Sequence, residues 1–161
     1  MHKEYNFLVI EDNDGDFELV NDFLQESFVK VYCLQFRSFG EFKDAKVDHK
    51  LFDLLFLDLS LPDKSGEELI LSVREIIFDI PIIVLTGYSD FNFGVRSLTL
   101  GASDYILKDE LNSTLLYKSV IYSIERLSSI KAVRVSEKKY GDLFHFSPVP
   151  LLVINEYDHS I

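Results

Sequence analysis

The chain has a single cysteine, Cys33, and an internal disulfide is therefore excluded. Its place in the apolar run from Val31 to Phe36 reads as a core position in a reducing compartment rather than a reactive thiol. Basic residues are scarce: 16 Lys and Arg stand against 27 Asp and Glu, a formal net charge of -11. That balance argues against nucleic acid as a direct partner, because phosphate binding needs clustered Lys and Arg. It suits an acidic, cation-binding pocket, although a solvated acidic surface has the same composition. No stretch approaches the roughly 18 apolar residues of a membrane span, and Met1-His2-Lys3-Glu4 turns polar too soon for a signal peptide. A cytoplasmic location without a membrane partner is the expectation. The histidines, His2, His49, His145 and His159, show no metal-ligand spacing.

What is present is apolar. With 47% hydrophobic and 14% aromatic residues, the 161-residue chain can bury one ordinary core and have residues left over. The stretch FDLLFLDLSLPDKSG, Phe52 to Gly66, organises it. Leu54 to Leu57 is an unbroken apolar run of strand length that stops on an ionisable group, Asp58, before Pro62 and Gly66 mark a loop. A buried parallel strand reads this way, and a carboxylate at its C-terminal end lies at the sheet edge where open α/β sheets bind ligands. An Asp that only starts a turn is the alternative.

In chain order, Tyr5 to Ile10 reads as a first strand, ending in Glu11-Asp12-Asn13-Asp14-Gly15-Asp16. Asn13 or Asp14 caps a helix whose apolar side is Phe17, Leu19, Val20, Phe23, Leu24 and Phe28. Val31 to Phe36 is the second strand, Phe39 to Val47 a short helix, and Asp53 to Asp58 the third strand. Ser65 with Glu68 spells a capping box ahead of a helix that buries Leu69, Ile70, Val73, Ile76 and Ile77. Pro81 to Leu85 is the fourth strand, running into Thr86-Gly87. Ser89 or Asp90 starts a helix that stops at Gly101. Asp104 to Leu107 is the fifth strand, ending on Lys108, and a last helix opens near Asn112 or Ser113 with no stop signal until about Tyr140-Gly141. Alternating strands and helices predict a doubly wound, five-stranded parallel sheet of flavodoxin-like order 2-1-3-4-5, with an extended C-terminal helix.

Four strands thus end on polar residues of particular types: Glu11 and Asp12, Asp58, Thr86 and Lys108. In a parallel sheet those ends share one edge, so the residues converge. Three carboxylates held together repel one another and favour a divalent cation, and an all-oxygen pocket suits Mg²⁺. With a cation present, Asp58 can attack phosphorus to give an acyl phosphate. Lys108 supplies a fixed positive charge and the Thr86 hydroxyl a hydrogen bond for phosphoryl oxygens.

The segments LVIEDN, LLFLDLSLPDKSG, PIIVLTGYSD and GASDYILK resemble the receiver domain of two-component response regulators, over roughly residues 4–127. The resemblance implies that Asp58 accepts a phosphoryl group from a histidine kinase or phosphotransfer protein, in a chain that phosphorylates itself rather than turning over substrate. It implies that Asp12 binds Mg²⁺ directly with Glu11 assisting, that the Ser60 backbone carbonyl completes the protein ligands, and that Thr86 and Lys108 bind the phosphoryl group. It further implies that Tyr105 is the aromatic switch that turns inward when Thr86 moves, repacking the face of the fourth helix, fifth strand and fifth helix. Without the family, Tyr105 reads as an amphipathic core tyrosine. The family often has a cis proline after the lysine, whereas Asp109 follows Lys108 here, and a cis bond before a non-proline residue costs about 2.5–4 kcal/mol. Tyr88 and Ser60 occupy positions where the family tunes acyl-phosphate lifetime.

Beyond the receiver, Val120, Ile121, Ile124, Leu127 and Ile130 recur at helical spacing among Glu125, Arg126, Lys131 and Arg134. They predict a helical linker over 128–139 that pairs with its copy as a coiled coil, or else packs on its own domain and frays. From Tyr140 the text YGDLFHFSPVPLLVINEYDHSI changes character: Pro148 and Pro150 break the helix and Leu151 to Ile154 reads as a strand. It resembles the opening of a PAS sensory domain over 140–161, which implies a longer protein with a histidine kinase or another output module. Rival readings fit less well. An aspartate-nucleophile hydrolase of the haloacid dehalogenase type wants an acid where Ser60 stands, and a flavodoxin-like cofactor binder wants a phosphate cradle where Glu11-Asp12-Asn13-Asp14 would repel it. A receiver-like interaction module that works without phosphorylation keeps the fold but not the chemistry.

Overall fold

The structure, a computed structural model, describes residues 2–87 and 91–145, with side chains described for 2–87 and 92–134. The expectations placed on Tyr88, Ser89 and Asp90, and on Pro148, Pro150 and the Leu151–Ile154 strand, lie outside the described residues.

Among the described residues, each apolar run read as a strand forms one, and each amphipathic stretch read as a helix forms one. The order is β1 (Glu4–Ile10), α1 (Asp14–Ser27), β2 (Lys30–Phe36), α2 (Phe39–Ala45), β3 (Leu54–Asp58), α3 (Gly66–Ile76), β4 (Ile82–Thr86), α4 (Phe91–Thr99), β5 (Asp104–Leu107) and α5 (Ser113–His145). Short 3-10 turns at His49–Leu51 and Lys108–Glu110, which carry no periodic signal, were not expected. The five strands form one parallel sheet in the order β2-β1-β3-β4-β5. Register fixes the edge that matters: Ile10 lies beside Leu57, Asp58 beside Leu85 and Thr86 beside Leu107, so the strand ends are level.

The pleat divides the core into two layers, because successive side chains point to opposite faces. Leu8, Ile10, Leu55, Leu57, Ile82 and Val84 meet Phe42, Leu69, Ile70 and Val73 of α2 and α3. The alternate residues Phe7, Val9, Leu54, Phe56, Ile83, Leu85 and Ile106 meet Val20 and Leu24 of α1 and Leu116 and Val120 of α5. Every residue of β3 is buried, which is why its text is an unbroken apolar run rather than an alternation. Cys33 packs against the second layer, and burial pushes its thiol up to about 12, so it is a core residue at neutral pH.

Local signals were obeyed unevenly. Asn13 caps α1, its Oδ1 accepting from the Asp16 N–H at 2.9 Å. Gly101 closes α4 with φ of 112°: its N–H bonds the Leu98 carbonyl and the Ala102 N–H bonds the Ser97 carbonyl, a Schellman arrangement. The expected capping box at Ser65 does not form, since Ser65 makes no side-chain cap bond. Gly66 opens α3 with φ of 65° and spends its N–H on the Leu59 carbonyl, so the chain enters the helix from a direction the box geometry does not allow. The stop expected near Tyr140-Gly141 is also absent, since α5 continues to His145. A lone glycine costs a helix only about 1 kcal/mol.

The chain divides into two compact units, one through Glu125 and one from Arg126. In the first, Leu116 and Val120 are fully buried; in the second, Ile130 and Val133 are exposed. No helix among the described residues is long and apolar enough to cross a membrane.

Candidate functional site

At the level edge of the sheet, β1 runs out into Glu11 and Asp12 while β3 delivers Asp58. One carboxylate oxygen from each lies within 4.8 Å of the others; Glu11 and Asp58 are buried and Asp12 is exposed. Lys108, at the end of β5, enters the same pocket. Its Nζ donates to Glu11 Oε2 at 2.8 Å and to Asp16 Oδ2 at 2.8 Å, and stands 3.4 Å from Asp58 Oδ1. Four of the residues singled out in the sequence are therefore brought together, with one that was not, Asp16. In the sequence Asp16 carries only the signal of an acid in a first helical turn, which reads as a helix-dipole partner.

The acids are held rather than loose. Glu11 Oε1 accepts from the Asn13 N–H at 3.1 Å, and the Ser60 N–H donates to Asp58 Oδ1 at 3.3 Å. Asp14, next to the pocket, is gripped by Arg37 Nη2 at 2.9 Å and Gln35 Nε2 at 3.2 Å, while the same Gln35 amide donates to the Glu11 carbonyl. The loop after β3 closes through a Ser60–Ser65 bridge, and Asp63 reaches across to α2, accepting from the Phe39 and Gly40 N–H groups. Desolvation raises the exposed Asp63 carboxyl, but the backbone donors with the charge of Lys64 outweigh it and hold it below the usual carboxylate range.

Burial dominates the electrostatics of the pocket. It pushes Glu11 up from 4.5 to about 7, helped by the charge of Asp58 and opposed by the bonds from Lys108 and the Asn13 N–H. For Lys108 burial acts the other way, yet the bonds it donates to Asp16 and Glu11, with the charge of Asp58, hold it above its ordinary value. Lys108 is thus a fixed cation, and burial makes Glu11 harder to ionise than a free carboxyl.

Thr86 is buried one register step beyond the Asp58–Leu85 pair. Tyr105 is half-buried beside Val84, packed on the first core layer, and its ring lies against the α4 backbone at Gly94. Asp109 follows Lys108 in a trans chain, and no cis peptide bond occurs among the described residues.

The arrangement is an all-oxygen acidic pocket with a fixed cation beside a buried carboxylate, at the C-terminal edge of a doubly wound sheet. The family model of the response regulator receiver domain matches residues 7–120, and the chain belongs to that family. It is 35% identical over 88 residues to the transcriptional regulatory protein YdfI of Bacillus subtilis, covering 52% of this chain and 41% of that protein. It is 32% identical over 128 residues to the transcriptional regulatory protein DltR of Streptococcus agalactiae, covering 77% of this chain and 56% of that protein. Among solved structures it resembles a response regulator of Burkholderia pseudomallei described with a phosphorylated aspartic acid, calcium ion and citrate. The identity is 27% and the TM-score 0.60, over 83% of this chain and 75% of that one. The chain spans about half the length of the curated relatives it matches.

Proposed function

We propose that the chain is a phosphoacceptor of a two-component phosphorelay, with Asp58 taking a phosphoryl group from a phosphohistidine donor. The observation that carries this reading is the position of the Asp58 carboxylate, buried at the sheet edge 3.4 Å from the Lys108 ammonium and within 4.8 Å of two further acids. In the transfer, an Asp58 oxygen forms a bond to phosphorus as the donor nitrogen–phosphorus bond breaks; the imidazole leaves with the electron pair. Lys108 neutralises charge on the phosphoryl oxygens and Thr86 offers its hydroxyl at the same edge.

Glu11, Asp12, Asp58 and the Ser60 carbonyl would hold Mg²⁺, and the donor set fits it: oxygen ligands only, two of the three carboxylates buried. When bound, the ion offsets the mutual repulsion of the carboxylates and the charge of the incoming group. The resemblance to a structure described with a phosphorylated aspartic acid and a bound divalent ion supports this reading.

The wider context belongs to the same proposal. The chain is a self-phosphorylating acceptor rather than a turnover enzyme, it is cytoplasmic, and phosphorylation repacks α4, β5 and α5 around Thr86 and Tyr105. In this reading a helical linker over 128–139 and the opening of a PAS-like domain over 140–161 follow the receiver of residues 4–127. The names of the two relatives, both transcriptional regulators, weigh against extending the expected absence of nucleic-acid contact from this acidic stretch to the longer protein.

The test is intact mass after incubation with acetyl phosphate and Mg²⁺. The expected result is one added phosphoryl mass that requires Mg²⁺ and is absent in Asp58→Asn. No gain from acetyl phosphate or from phosphorylated kinases would leave the phosphorylation-independent interaction module as the better reading.

A further inference from the structure

Lys108 carries one positive charge on a flexible four-carbon stem, and something must hold its ammonium beside Asp58. Two of its carboxylate neighbours, Glu11 and Asp58, belong to the group whose ligand atoms converge within 4.8 Å; Asp16 does not. A cation in that group competes with Lys108 for Glu11, and only Asp16 among the three stays outside the competition. Asp16 is also well placed to stay put. It lies in the first turn of α1, its N–H is bonded to Asn13 Oδ1 at 2.9 Å, and its own Oδ2 accepts from Lys108 Nζ at 2.8 Å across 92 residues of sequence. Asp14, two residues earlier in the same turn, is occupied with Arg37 and Gln35 and does not serve Lys108.

We propose that Asp16 is the positioning residue for Lys108: its carboxylate keeps the ammonium beside Asp58 while Glu11 turns to a divalent cation. The inference rests on the receiver reading above and adds to it a residue that lies outside the carboxylate cluster. Lys108 has three N–H groups, shared in this structure among Glu11, Asp16 and Asp58. When Glu11 leaves, the freed N–H becomes available to a phosphoryl oxygen, and Asp16 keeps the stem from swinging into solvent.

The test uses the full chain with Asp16→Ala, Asp16→Asn and Asp16→Glu. Three quantities are measured: the initial rate of phosphoryl gain from acetyl phosphate at saturating Mg²⁺, the Mg²⁺ dissociation constant, and the ¹⁵N signal of the Lys108 ammonium in excess Mg²⁺. Asp16→Ala and Asp16→Asn should slow the rate about three- to five-fold, the size of a partly exposed ion pair, with Mg²⁺ affinity changed by less than that factor. Asp16→Glu, long enough to reach Nζ, should restore the rate, which a purely structural role in α1 does not predict. The slowly exchanging ammonium signal should persist in the wild type and disappear in Asp16→Ala. A wild-type rate in both Asp16→Ala and Asp16→Asn, with unchanged Mg²⁺ affinity, overturns the proposal. If the wild type gains no phosphoryl group from acetyl phosphate or from phosphorylated kinases, the receiver reading fails instead. The ammonium signal then decides alone, with its loss in Asp16→Ala supporting the role of Asp16 and its persistence refuting it.

Discussion

Glu11 is harder to ionise than a free carboxyl even with the Lys108 ammonium beside it. It is 1% exposed, faces Asp58, and is pushed up from 4.5 to about 7 chiefly by burial. The folded state therefore keeps a proton that the unfolded chain has released above about pH 4.5, so this group contributes stability at low pH that is lost as pH rises toward 7. Lys108, held above its ordinary value, stays protonated across that window and adds no slope of its own. Glu11→Gln cannot ionise but turns its amide NH₂ toward one of the two donors that Glu11 accepts from, so the expected outcome is a smaller loss of stability between pH 4.5 and pH 8 without metal than in the wild type, by on the order of 2 kcal/mol. Urea melts at the two pH values measure the difference. Excess Mg²⁺ should narrow that difference by stabilising the wild type at pH 8, because a ligand that needs ionised Glu11 offsets the cost of ionising it.

Between elements, two contacts that no local pattern announces hold the sheet's helices in place. Arg74 of α3 donates from Nε and Nη2 to the Gly101 carbonyl at 3.0 and 2.6 Å, and from Nη1 to the Ile77 and Ile80 carbonyls. It thereby joins the turn after α3 to the turn after α4. Removing it strands three carbonyls, and Arg74→Ala should cost about 2–3 kcal/mol by chemical melts, with Arg74→Lys recovering little because an ammonium lacks the fork. The second contact is the seat of Tyr105. A Cβ on Gly94 would lie 2.1 Å from the Tyr105 Cζ, so the glycine is there to let the ring approach the helix backbone. On helix propensity alone, Gly94→Ala should stabilise by about 1 kcal/mol. The clash reverses the sign: the variant should melt lower than the wild type, and Gly94→Ala combined with Tyr105→Ala should melt higher than Tyr105→Ala alone. These contacts mark the limit of the sequence reading. Glu11, Asp12, Asp58 and Lys108 were legible because each closes an apolar run, and a parallel sheet brings such ends together whatever the details. Asp16, Asp63, Arg74 and Gly94 were not, because their partners are chosen by how helices dock on the sheet. The failed box at Ser65 shows the same thing in reverse, a local rule overruled by the positive φ that Gly66 adopts to close the loop.

At the scale of the whole molecule, periodicity together with cap and turn signals made the fold of the described residues legible: five strand-length runs, a pleat that sends alternate residues to two core layers, and helices that cover both. The same reasoning places the boundary of what the fold needs. Leu116 and Val120 of α5 are fully buried and Ser119 donates to Asp104, so the first turns of α5 are part of the core. The compact unit ends at Glu125, and in the helix after it Ile130 and Val133 are exposed apolar positions three apart. A chain cut after Glu125 should therefore fold with a melting temperature within about 4 °C of the full chain, the shift that roughly 1 kcal/mol produces in a domain of this size. A cut before Leu116 removes two fully buried side chains, each worth about 2–4 kcal/mol, and should leave the domain unfolded or close to it. If the exposed stripe pairs with its copy, the full chain should sediment as a dimer and the chain cut after Glu125 as a monomer, with Ile130→Asp reproducing the monomer in the full chain. A full chain that sediments as a monomer would remove the coiled-coil proposal and leave the helix beyond Arg126 to a partner of another kind.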